Sequence, residues 1–253
     1  MDLGLKGRKA IITGATKGIC RATAELLAAE GCDLAICSRN PDDVADAVAA
    51  LSAHGTKVWG SACNVRKAEE YDAWLKQAAA ELGGCDIFVP GVSAGGGMEG
   101  EKSWYRNFEI DVLGCVRGVD TLFEFLKDSG NAAVVFISTT AAVETFMAPM
   151  AYNALKASLI TYAKQMSQVH MKRGIRFNVV SPGPIMVPGG AWDQIRAQDE
   201  GFYNSIVAQQ PDGRMGDPDE VARCIAFLAS DAASWVTGVN LIVDGGFTKR
   251  VQF

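Results

Sequence analysis

Lys9-Ala10-Ile11-Ile12-Thr13-Gly14-Ala15-Thr16-Lys17-Gly18-Ile19 runs from a short apolar segment through two glycines into a helical pattern. The five residues before Gly14 read as a buried strand. The stretch from about Lys17 to Glu30, stopped at Gly31, reads as a helix. Gly14 permits the tight turn, and Gly18 permits close approach of a backbone or a ligand. The free N–H groups and positive dipole end of that helix suit a pyrophosphate. A plain strand-to-helix turn has the same outline, so this reading needs support from the rest of the chain.

Outward from this turn the pattern repeats. Leu34–Cys37 reads as a second strand, and Asn40-Pro41 as an N-cap with proline at the first helical position. Val44, Val48 and Leu51 keep helical spacing. Val58–Ala62 is a third strand. Tyr71, Trp74, Leu75, Ala78 and Leu82 mark a helix stopped by Gly83-Gly84, and Asp86–Val89 is a fourth strand. A helix over about 102–127 precedes the strand Ala133–Ile137, and a helix over about 150–173 precedes the strand Ile175–Val180. Asp217-Pro218-Asp219-Glu220 starts a further helix, and Leu241–Val243 closes the set. About seven strands alternating with about six helices predict an α/β fold. It is a single Rossmann-like, doubly wound parallel sheet with helices on both faces. One domain is expected over 1–253. The stretch 182–217 reads as irregular, and about 184–216 of it as a substrate loop.

Composition narrows the function. The 253 residues are 49% hydrophobic and 21% charged, with a net charge of −5, an ordinary soluble profile. The acidic balance disfavours a general nucleic-acid binder. No apolar run approaches the roughly 20 residues of a membrane helix, and the first ten residues do not read as a signal peptide. A cytoplasmic protein is expected. The seven cysteines are scattered and never spaced C-x-x-C, so reduced thiols fit better than disulfides or zinc. With two histidines, His54 and His170, no metal site is expected.

The end of the second strand carries Cys37-Ser38-Arg39, where NAD binders usually place an acid on the ribose hydroxyls. Arg39 can pair with a 2′-phosphate, Ser38 can donate to it, and Lys17 adds a second cation. These residues point to NADP(H), although a lone arginine is also commonly a solvated surface charge. Tyr152 and Lys156 stand at i and i+4, on one helix face. A phenol titrates near 10, and a neighbouring ammonium lowers that value. Tyr152 can then give a proton to a carbonyl oxygen, or take one from an alcohol.

In combination, the TGxxxGI loop, Tyr152-x-x-x-Lys156, Ser181-Pro182-Gly183 and the segments Arg214–Pro218 and Val243–Gly246 resemble the short-chain dehydrogenase/reductase family. The chain is most similar there to the 3-oxoacyl-carrier-protein reductase type. The resemblance implies strand order 3-2-1-4-5-6-7 and a homotetramer or homodimer acting on a small-molecule ketone or alcohol. It places Gly14, Thr16, Lys17, Gly18 and Ile19 at the pyrophosphate and Asn64 and Val65 at the adenine. Gly91 and Val92 would lie beside the cofactor, and Pro182, Gly183 and Ile185 at the nicotinamide. Lys156 would bind the ribose and activate Tyr152. Thr139, beside Ser138, stands where the family serine holds the substrate oxygen.

Several positions depart from that pattern. Cys20 replaces the loop's last glycine. Pro90-Gly91-Val92-Ser93 replaces Asn-Asn-Ala-Gly, and Asp111 replaces an asparagine. Asp111 can accept from a relay water, or pair with Lys156 and shift activity to higher pH. Val187 replaces a common threonine. These departures keep open a catalytically weakened nucleotide-binding scaffold or sensor. Gly91-Val92-Ser93-Ala94-Gly95 also matches G-x-S-x-G, an α/β-hydrolase elbow with Ser93 as nucleophile and His170 as the one downstream histidine. Thr140–Met150, Met186, Val187, Trp192, Phe202 and Tyr203 outline a mostly apolar pocket. Arg196 and Arg214 are the basic candidates for a carrier-protein contact, each also readable as structural. Gly114 and Gly118 permit close helix approach, as at a subunit interface.

Overall fold

The computed structural model describes residues 2–251. Seven parallel strands form one sheet in the order β3-β2-β1-β4-β5-β6-β7. They are β1 (Lys9–Thr13), β2 (Asp33–Ser38), β3 (Val58–Ala62), β4 (Ile87–Pro90), β5 (Ala132–Ile137), β6 (Ile175–Pro182) and β7 (Asn240–Val243). The chain reverses its direction of winding between β1 and β4, and Thr13 stands opposite both Cys37 and Pro90. Such a switch point opens a crevice at the carboxyl ends of the strands.

Helices cover both faces. On one, α1 (Gly18–Ala29), α2 (Pro41–Ser52) and α9 (Pro218–Ala229) bury Leu27, Leu51 and Ile225 against Ile12, Ile36 and Val180. On the other, α3 (Ala68–Leu82), α5 (Gly114–Ser129) and α6 (Ala151–His170) bury Leu75, Leu122 and Leu159 against Ile11, Phe88 and Phe136. The caps follow their residues. Asn40 Oδ1 accepts from Asp42 N at 3.0 Å. Asp217 and Glu220 close a capping box, with Pro218 at the first helical position. Each satisfies N–H groups that the first turn leaves free.

Three expectations change in detail. The helix expected over 102–127 is α4 (Glu101–Asn107), a π-helical turn (Phe108–Leu113) and α5. The wide turn inserts a residue into the ladder and re-aims the side chains on either side of it. The stretch 182–217 is not irregular. It holds α7 (Ala191–Gln198) and α8 (Glu200–Val207); α7 buries no residue completely, so its apolar pattern is faint. Gly118 faces the core rather than a partner. A Cβ there would fall 2.7 Å from Phe88 Cε1 and 2.9 Å from the Tyr71 hydroxyl, so its role is to seat α5 on the sheet.

Candidate active site

The crevice holds a cleft of about 580 Å³, lined by Gly14, Thr16, Lys17, Ser38, Arg39, Asn64, Val65, Gly91 and Val92 among others. Nine of the residues expected at the cofactor therefore share one wall system. Gly14 and Gly18 adopt φ of +75° and +61°, where a side chain is strained. Lys17 stands at the α1 N-cap without a side-chain cap, and the first turn holds no acid. The helix end is thus left free to face an anion. Lys17 and Arg39 are exposed, and neither has an ion pair among the described residues. Arg66 and Arg106 line the same cleft, but each is engaged, Arg66 by Glu109 at 2.6 Å and Arg106 by Glu99 at 3.2 Å. Neither stood out in the sequence: Arg66 follows Asn64 and Val65 in the turn after β3, and Arg106 is brought in by α4.

Ile19 and Val187 pack against the α1-side core instead of lining the cleft. Pro182 is buried at the end of β6. Gly183 lines the neighbouring apolar pocket, and Ile185 a separate small one. Cys20 and Gly91 make one packing unit. Cys20 is 4% exposed; a Cβ on residue 91 would overlap its sulfur and lie 2.9 Å from the Thr13 carbonyl oxygen. The cysteine in the glycine loop is accommodated by a glycine after β4.

A second pocket, of about 280 Å³, adjoins the first. Tyr152 and Thr139 line it, with Phe146, Met147, Met150 and Trp192 as expected. Phe247, from the turn after β7, completes an aromatic group, edge-on to Phe146 at 5.6 Å. Phe202 and Tyr203 pack behind Trp192, beside Met186. Met147 is the one non-glycine residue with positive φ among the described residues. The loop after β4 borders both spaces, Ser93 and Ala94 in the cleft and Gly95 and Gly96 in the pocket.

Behind the tyrosine, Lys156 is 3% exposed. Its Nζ donates to the Ile137 carbonyl at 2.8 Å and pairs with Asp111 Oδ1 at 3.0 Å. Burial opposes its charge, but Asp111 and Tyr152 outweigh burial and raise its pKa to about 12. Tyr152 is pushed above its usual value by burial; Lys156 pulls it down, Asp111 pushes it up, and the Thr139 hydroxyl pulls it down through a hydrogen bond. Ser138 is differently placed from Thr139. It is 2% exposed and donates to the Lys156 carbonyl at 2.9 Å, so it anchors α6 rather than facing the pocket.

The hydrolase arrangement does not assemble. Ser93 Oγ accepts from Gly95 N at 3.1 Å, and no helix begins until Glu101, whereas a nucleophile elbow leads straight into one. His170 lies at the far end of α6 from Tyr152, packed against Phe123 and Phe177. Arg196 and Arg214 are paired, with Asp193 and Glu220, and offer no free charge to a carrier protein.

Residues 14–248 match the family described as "Enoyl-(Acyl carrier protein) reductase". The chain belongs to the short-chain dehydrogenase/reductase family. Isoepoxydon dehydrogenase of Aspergillus clavatus is 33% identical over 98% of both chains. Cis-4-hydroxycyclohexanecarboxylate dehydrogenase of Sinomonas cyclohexanicum is 34% identical over 95% of this chain and 96% of that protein. L-Sorbose reductase of Gluconobacter frateurii, solved with NADPH and L-sorbose, superposes with a TM-score of 0.92 at 28% identity, covering 99% of this chain and 100% of the other. This short-chain dehydrogenase/reductase is accordingly an oxidoreductase of alcohols and ketones, related to proteins that act on small molecules. No helix among the described residues is long and apolar enough to cross a membrane.

Proposed function

We propose that the protein is an NADP(H)-dependent oxidoreductase that interconverts a compact, mostly apolar ketone and its secondary alcohol, with Tyr152 as acid/base. The observation that carries this is the placement of Tyr152 on the wall of an apolar pocket, backed by Lys156 and adjoining the cleft whose free cations are Lys17 and Arg39. The related dehydrogenase named for a hydroxycyclohexane and the relative solved with NADPH support the same reading.

The residues divide the work. Gly14, Thr16 and Lys17 would hold a pyrophosphate against the α1 N-terminus, Ser38 and Arg39 a 2′-phosphate. Asn64 and Val65 would border the adenine. A reduced nicotinamide supplies hydride when bound. Thr139 donates to the substrate oxygen and Tyr152 delivers the proton to it. Phe146, Trp192 and Phe247 exclude water and select apolar ligands. A single catalytic domain is inferred, in a homotetramer or homodimer; Trp235, 92% exposed near the β7 edge, and the half-exposed Trp104 and Tyr105 of α4 are the surfaces such an assembly would cover. Seven unpaired cysteines fit a reducing cytoplasm.

Calorimetric titration with NADPH and NADH tests the cofactor assignment, followed by a screen of cyclic ketones with the wild type and Tyr152→Phe. Tight NADPH binding, weak NADH binding and turnover lost only in the variant are expected. Normal turnover by Tyr152→Phe refutes the mechanism. Binding of neither cofactor favours the scaffold reading instead.

A further inference from the structure

Two N–H donors and one ammonium converge on the buried Asp111 carboxylate. Lys156 Nζ lies 3.0 Å from Oδ1. Asn107 Nδ2 and Ala94 N donate to Oδ2 at 3.0 and 3.2 Å. Asp111 and Asn107 are both 0% exposed, and Asn107 Nδ2 also holds the Gly95 carbonyl at 2.9 Å. A carboxylate only accepts, whereas an amide in its place turns a donor toward at least one of these donors. The surroundings therefore select an acid at 111 rather than tolerate one.

We propose that Asp111 is a positioning residue which, by pairing directly with Lys156, cancels the positive charge beside Tyr152 and fits the site to protonate a carbonyl oxygen across the neutral range. The inference rests on Tyr152 being the acid/base.

The charges around Tyr152 and Lys156 can be counted element by element. Cys20 from α1 and Cys115 from α5 face them, each pushed by burial to about 12, so both thiols are neutral. β5 contributes the Ile137 carbonyl, the loop after it the Thr139 hydroxyl. Asn107 is neutral. Lys156 is the one cation and Asp111 the one anion of this group. A lone ammonium favours the phenolate; the ion pair withdraws that help. Tyr152 then stays a phenol at neutral pH. In ketone reduction it breaks its O–H bond to give the proton to the carbonyl oxygen as the carbon takes the hydride from the reduced nicotinamide, and it regains a proton from water. Alcohol oxidation needs the phenolate, so it is slow at neutral pH and rises into the alkaline range.

Carbon-13 NMR of protein labelled at tyrosine Cζ reads this directly. The chain has five tyrosines, and the signal absent from Tyr152→Phe identifies residue 152. In the wild type it should titrate above 10. In Asp111→Asn it should titrate about one pH unit lower, roughly tenfold more phenolate at a given pH. The alkaline rise of alcohol oxidation should move down by the same amount. A purely structural role for Asp111 would loosen the Ala94–Gly95 loop and raise KM, but would leave the tyrosine titration in place. A wild-type Tyr152 signal titrating below about 9, or one unmoved in a folded Asp111→Asn protein, overturns the proposal. Burial alone raises a phenol, so should Asp111→Asn not fold the same titration is read in Asp111→Ser, where an unmoved signal overturns the proposal. A shifted titration in a protein that turns over no ketone supports the charge assignment and counts against the ketone reading.

Discussion

Gly91→Ala should destabilise this protein severely, and Cys20→Ala should rescue most of the loss. Gly91 has an ordinary φ, so alanine there adds no backbone strain and the experiment isolates packing. The new Cβ overlaps the Cys20 sulfur and comes to 2.9 Å from the Thr13 carbonyl oxygen, where a comfortable carbon contact is about 3.5 Å or more. Overpacking of this kind costs about 1–3 kcal/mol, and two simultaneous overlaps put it near the top, about 3. Cys20→Ala alone removes one buried sulfur and costs about 1 kcal/mol. Independent effects would sum to about 4. In the double variant the vacated sulfur position takes the new methyl, leaving only the Thr13 contact, which a shift of a few tenths of an ångström relieves for about 1 kcal/mol. The double variant should thus cost about 1 kcal/mol in all and lie about 3 kcal/mol above additivity, at the upper end of the range for contacting pairs. The thermal midpoint would be higher by roughly 6–12 °C than the single variants imply. Urea unfolding at fixed protein concentration measures the cycle. Cys20→Gly is avoided, because glycine inside α1 adds its own helix cost of about 1 kcal/mol. Additivity within about 0.5 kcal/mol would refute the idea that these positions share one space.

Arg39→Ala should weaken NADPH by at least tenfold and NADH hardly at all, read by calorimetry; equal losses would remove Arg39 from the 2′-phosphate. Glu220 is held down to about 2, by Arg214 first and by the Asp217 N–H next. Its depressed value stabilises the folded state above about pH 4.5, and that contribution is lost as pH falls toward 2. Because the side chain is 38% exposed, it is discounted to about 1 kcal/mol; Glu220→Gln should flatten the acid limb of stability against pH, and an unchanged limb would count against it. Arg176, 2% exposed, donates to the Leu228 carbonyl at 2.6 Å and the Ser230 carbonyl at 2.9 Å. Arg176→Met strands those two carbonyls, one in α9 and one at its C-cap, and should cost about 3 kcal/mol in urea unfolding; a loss under about 1 would show that water replaces the guanidinium.

The alternation of strands and helices, the glycine turn and the Tyr152–Lys156 pair were legible because each is a local pattern set by backbone period and side-chain spacing. Even the caps at Asn40 and Asp217 follow from residues within one turn. What stayed hidden depends on distance. Cys20 and Gly91 each read as a separate departure from a family motif; only the sheet, by setting β4 beside β1, makes them neighbours. Asn107 was invisible for a different reason. It stands one turn before Asp111, but whether both point inward depends on the π-helical turn at Phe108–Leu113, which no apolar period announces. Phe247 reaches the pocket only because the chain turns back after β7.

The same two pairings bear on whether the unusual residues mark a site in decline. A site losing its function would be expected to accumulate clashes and orphaned charges where its motifs change. Here the bulkier Cys20 sits against a residue with no side chain, and the Asp111 anion sits among Lys156, Asn107 and Ala94 as donors. Uncompensated, burying that carboxylate would cost several kcal/mol. Such an expense persists in a fold only when partners offset it, and the partners here come from α6, from the loop between cleft and pocket, and from α4, whose Asn107 also holds that loop. Asn107 ties the carboxylate to Gly95, and Gly95 lines the pocket that Tyr152 faces. If Tyr152 is the acid/base proposed above, the charge that tempers it and the clamp that shapes its pocket are one carboxylate, the arrangement of a site adjusted toward protonating its substrate.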